Sequence, residues 1–71
     1  VNKTDFNPIF LTRLKEFGAT FWREGMVNDV WFTIPILWAS HARALANFYG
    51  YKTELYRVNS TSHFSLLVWK D

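Results

Sequence analysis

The sequence predicts a mainly α-helical chain: an N-terminal amphipathic helix over residues 6–25, a second, proline-kinked apolar helix over 29–51, and an extended or β-hairpin tail over 52–71. Three observations predict it. Residues 30–42 form a thirteen-residue run without Asp, Glu, Lys or Arg. Phe6, Phe10, Leu14, Phe17 and Phe21 recur at spacings of four and three, which gathers them on one helical face. The last third is rich in β-branched and aromatic residues and is divided by the polar run 59–62.

Asn7-Pro8 opens the first helix, because Asn is a favoured N-cap and Pro at the first helical position lacks only an N–H that would be unpaired anyway. Thr12, Lys15, Glu16, Ala19 and Arg23 then share the polar side, and Gly25 is placed to end the helix. Gly18 inside it costs about 1 kcal/mol relative to alanine. Such a helix covers a core or lies in a membrane interface with Trp22 at headgroup depth.

Two readings of the next segment follow. In one, Asn28 and Asp29 cap a helix running to Tyr51, kinked by Pro35 and carrying Trp31, Phe32, Ile34, Ile36, Leu37 and Trp38. Trp31, Tyr49 and Tyr51 are then interfacial aromatics of a candidate membrane span. Arg43 in its second half would cost about 2.5–3.5 kcal/mol near a bilayer centre, so it must snorkel, face an acidic neighbour or line a protein interface. In the other reading 30–34 is a short strand, Pro35 starts a new helix, and Gly50 ends that helix. Leu37, Trp38, Ala42, Leu45, Phe48 and Tyr49 then pack inward in a small soluble α+β binding module with the order helix, strand, helix, hairpin.

Length and composition bound the function. A chain of 71 residues makes one small unit, burying only about 60% of its unfolded surface. Its four Trp, three Tyr and seven Phe exceed the needs of so small a core and point to lipid or protein partners. With no cysteine there is neither a disulfide framework nor a thiolate metal site. His41 and His63 stand apart with no ligand at metal spacing. No nucleophile elbow, phosphate-cradling glycine loop or paired carboxylates are present. The expectation is a non-catalytic protein without cofactor or metal. Lys52, Tyr56, Arg57 and Trp69 interleave cations with aromatic rings, but a net charge of +2 is low for a nucleic-acid binder, and nucleic acid is not expected as a partner.

Asn28-Asp29-Val30-Trp31, an apolar run containing Pro35, and Tyr56-Arg57 followed by Asn59-Ser60 together resemble the small MNLL-type accessory subunits of mitochondrial respiratory complex I. The likeness covers about residues 28–66; His41, Arg43 and Val58 interrupt its pattern, and the first 25 residues have no counterpart. It implies a non-catalytic accessory subunit of a mitochondrial inner-membrane respiratory complex, held by other subunits and lipid. The residues expected to contact partner or membrane are Trp22, Trp31, Phe32, Trp38, Arg43, Tyr49 and Trp69. The alternative α+β module would be cytoplasmic.

Overall fold

The Asn7-Pro8 start forms as its chemistry dictates. In the computed structural model, which describes residues 6–25, 29–57 and 62–70, the Asn7 side-chain oxygen accepts from the Ile9 N–H at 2.8 Å, and Pro8 opens helix α1 (Pro8–Glu16). The helix stops well short of residue 25. Gly18 takes φ +86°, its N–H donates to the Lys15 carbonyl at 2.9 Å, and the Ala19 N–H reaches the Leu14 carbonyl at 3.0 Å. That left-handed turn satisfies carbonyls the helix end leaves open. Thr20, Phe21 and Trp22, β-branched or aromatic, then extend as strand β1 (Thr20–Glu24). Phe17 and Phe21 keep helical phase with Phe10 and Leu14, but Phe17 caps the helix and Phe21 lies on a strand.

The long apolar helix over 29–51 is replaced by three elements. Strand β2 (Asp29–Pro35) buries Val30, Phe32 and Ile34 in strict alternation, the period of a half-covered strand. Pro35 cannot donate within a sheet or a helix interior, and it hands the chain to a single 3-10 turn (Ile36–Trp38). The Ile36 N–H donates to the Ser62 carbonyl at 3.0 Å. Helix α2 (Ala39–Phe48) follows. At 1.5 Å per residue it is about 15 Å long, half the thickness of a bilayer's hydrocarbon core. Among the described residues no helix is long and apolar enough to cross a membrane. The mainly α fold and the transmembrane helix are therefore corrected to a small α+β fold, in which nothing indicates the respiratory-membrane assignment that the resemblance implies. The strand-then-helix reading is nearer the structure, with β1 added.

The tail forms β3 (Lys52–Arg57) and β4 (His63–Trp69), paired antiparallel from Lys52↔Trp69 to Arg57↔Phe64. Asn28, expected as a cap, and 59–61, expected as the loop, lie outside the described residues. The four strands form one antiparallel sheet in the order β1-β2-β4-β3.

The chain thus runs helix, strand, strand twice over, with the second strand of each half at the sheet centre. The helix ends match in detail. Gly50 has φ +81°; its N–H donates to Asn47 at 3.0 Å and the Tyr51 N–H to Ala46 at 2.9 Å, the same offsets found around Gly18. The two halves share conformation without a shared sequence motif beyond an aromatic residue before glycine.

Both helices lie on one face of the sheet, where α2 packs on β2, β3 and β4 and α1 packs on α2. The fully buried residues of α2 are all alanines, Ala39, Ala42 and Ala46, whose small side chains let the helix sit close to the sheet, and Leu45 packs half-buried against the same core. Phe6, Phe10 and Leu14 fill the space beside it against Val30, Phe32, Ile34, Leu66 and Val68. Tyr51 closes this end: its ring centroid is 4.9 Å from those of both Phe6 and Phe10, and its hydroxyl accepts from the Asn7 N–H at 2.8 Å.

Candidate binding face

Because both helices cover the same side, no layer of described residues lies on the opposite face of the sheet, and alternation decides which side chains stand there. With Val30, Phe32 and Ile34 inward, β2 turns Asp29, Trp31 and Thr33 outward. With Leu66 and Val68 buried in the core, β4 turns Ser65, Leu67 and Trp69 outward. Register then builds rows across the sheet. Arg23, Trp31, Leu67 and Glu54 form one; Thr20, Thr33, Ser65 and Tyr56 form a second; Asp29, Trp69 and Lys52 form a third.

An irregularity in β1 adds a ring to the middle row. The pairing shifts between Phe21 and Arg23, so two residues of β1 occupy the space of one on β2, as in a β-bulge. Phe21 faces the helices, with its ring 6.2 Å from that of Phe32. Trp22 and Arg23 both reach Trp31. The Trp22 and Trp31 rings meet edge to face, with centroids 5.7 Å apart and planes at 80°. The Arg23 guanidinium lies 5.1 Å from the Trp22 centroid and 5.8 Å from that of Trp31, within reach of cation–π attraction. On the other side, the Trp31 and Tyr56 rings are 5.5 Å apart with planes at 39°.

The result is a continuous aromatic surface, Trp22–Trp31–Tyr56, with a cation at one end. Trp22 is 53% and Tyr56 47% exposed. Ser65, paired with Thr33 on one side and Tyr56 on the other, is only 4% exposed although no described helix covers that side. Two cations, Arg23 and Lys52, share the face with two carboxylates, Asp29 and Glu54. No protein-family model, curated protein or solved structure matches this chain. The face's own chemistry must carry the functional reading.

Of the residues expected to make contacts, Trp22, Trp31 and Trp69 stand together on this face, and the others do not. Phe32 is buried in the core. Trp38 stacks on Phe17 on the helix side, with centroids 5.4 Å apart and planes at 6°, and His41 leans on both. The Arg43 Nε donates to the Thr53 hydroxyl at 3.2 Å, joining α2 to β3. Tyr49 follows the last turn of α2 and touches Phe10, Phe48 and Tyr51.

Arg23 is the functional candidate that the sequence reading places elsewhere, on the polar side of a helix. Gly18 followed by β-branched Thr20 was the available signal for a strand there.

Other concavities carry less chemistry. A groove of about 390 Å³ between α1 and β1 is floored by Leu11, Leu14, Phe21 and Phe32, with Lys15 as its one charged lining residue. The Ser62 hydroxyl and His63 Nδ1 lie 2.7 Å apart on exposed chain entering β4. Among the described residues no group of three His, Cys, Asp or Glu side chains could hold a metal ion.

Proposed function

We propose that this chain is a non-catalytic nucleic-acid-binding module that docks through the uncovered face of its sheet. The observation that carries the reading is the Trp22–Trp31–Tyr56 surface with Arg23 held over its indoles. Flat aromatic side chains give bases a stacking surface, and a cation beside them meets the phosphate or stacks in turn. Low overall charge argues against this class when the sequence is read alone. Gathering three of the four tryptophans and Tyr56 on one uncovered face changes the balance, because stacking supplies affinity that phosphate contacts do not.

A direct test is fluorescence anisotropy of labelled mixed-sequence oligonucleotides at low salt. Salt-sensitive binding that is lost in the Trp22→Ala/Trp31→Ala double variant supports the reading. No binding to any nucleic acid at low salt contradicts it.

A second reading, a subunit held by protein neighbours, rests on Leu37 and Phe48, which stand 79% and 81% exposed on the helix side. A mass in solution above that of one chain, reduced to it by Phe48→Ser, would favour that reading.

A further inference from the structure

We infer that the uncovered face also takes a second copy of this chain, in a weak two-fold dimer that masks the face from nucleic acid; the masking rests on the binding reading above, and the dimer does not. What singles out a second copy is the order of charge along the middle row. Arg23 of β1, Trp31 of β2, Leu67 of β4 and Glu54 of β3 follow one another across the sheet, so a cation stands at one edge, a carboxylate at the other and apolar side chains between. Such a row is complementary to its own reverse.

Two identical faces pack on each other about a two-fold axis lying between them. With that axis parallel to the strands and midway between β2 and β4, β1 of each copy lies over β3 of the other. Arg23 then meets Glu54 of the second copy at both ends of the row, and Trp31 meets its Leu67 twice at the centre. An axis along this row, across the strands, would instead set Arg23 against Arg23 and Glu54 against Glu54. Charge therefore selects the first arrangement. Aligned sheets cross at about 30°, which moves the row ends, about 7 Å from the axis, by about 4 Å and leaves these long side chains in reach. Glu54 is exposed on β3 and has no ion pair among the described residues. An apolar centre with a charged rim is the usual build of a protein interface. Four strands of five to seven residues cover about 20 by 20 Å. Two such faces bury on the order of 1,000 Å² in total, which places the dimer in the weak, reversible class. A second copy lying on Trp31 leaves no room there for a base, so the two occupants exclude each other.

Sedimentation equilibrium of the 71-residue chain at low salt tests the dimer, with a midpoint expected on the order of 100 µM. Arg23→Glu and Glu54→Arg each put like charges at both ends of the row and should each weaken association at least tenfold. The double variant Arg23→Glu/Glu54→Arg reverses the row and should return association to within about threefold of the parent. Circular dichroism of all three should stay that of the parent. A short oligonucleotide in excess should return the parent chain to one copy per complex. A chain that stays monomeric tenfold above the expected midpoint overturns the dimer, as do charge reversals that fail to cancel. Loss of association in Phe48→Ser places it on the helix side and overturns it as well. A dimer that stays intact while oligonucleotide binds overturns the masking. A dimer with this charge pattern in a chain that binds no oligonucleotide overturns the nucleic-acid reading and leaves the interface standing.

Discussion

Trp31 of β2 and Tyr56 of β3 never pair in the sheet, yet their rings meet at 5.5 Å over the strand that separates them. Each is anchored by register to a different residue of β4, Trp31 to Leu67 and Tyr56 to Ser65. The contact is diagonal and bridges three strands. Aromatic pairs of this kind contribute about 0.5–1.5 kcal/mol beyond area burial. A double-mutant cycle of Trp31→Ala and Tyr56→Ala in urea unfolding should return a coupling of that size. Additive single effects would show that the rings do not meet in solution.

Gly18 and Gly50 end their helices alike but stand in different surroundings. Both have positive φ, which alanine tolerates at a cost of about 1–2 kcal/mol. A Cβ at Gly18 would come within 3.0 Å of the Pro35 ring, whereas a Cβ at Gly50 would meet nothing within 4 Å. Gly18→Ala should therefore destabilise more than Gly50→Ala, and the urea midpoints of the two variants check the order.

The alanines of α2 predict a sharp positional contrast. Ala42 is fully buried against the sheet, so Ala42→Leu should overpack the layer and cost about 1–3 kcal/mol. Ala44, exposed on the same helix, should accept leucine within about 0.5 kcal/mol. Equal effects at the two positions would mean that α2 is rotated from the orientation described.

Charge on the binding face is sparse, so salt should weaken binding only gently. If Arg23 and Lys52 each neutralise one phosphate, the slope of log K against log salt is about −1.4 for a single strand, and Arg23→Ala should reduce its magnitude by about 0.7. A slope near −4 would place the ligand on other cations.

Parts of this fold are legible in sequence for local reasons. Asn7-Pro8 marks the start of α1, Val30, Phe32 and Ile34 alternate as a strand, and Gly50 follows a helix, because each signal acts through its immediate neighbours. The mistaken helix over 6–25 has a local cause as well: Phe17 and Phe21 stay in phase with Phe10 and Leu14, and only the left-handed turn at Gly18 breaks the series. The merged helix over 29–51 comes from weighing apolar content above the period-two pattern and Pro35.

The binding face is a different matter. That Arg23 lies beside Trp31, and Trp31 beside Tyr56, depends on a shift in β1 and on the β2–β4 register, which join residues far apart in the chain. Composition reveals many rings; only pairing tells which share a side.

The four tryptophans divide three to one between the two sides of the molecule, and that division gives the most direct test of the central claim. In a titration of isotope-labelled chain with a short single-stranded oligonucleotide, followed by the four indole N–H resonances, those of Trp22 and Trp31 should shift most, that of Trp69 should follow, and that of Trp38 should hold its position. Movement of Trp38 with Trp22 and Trp31 unperturbed would contradict the assignment of function to the uncovered face.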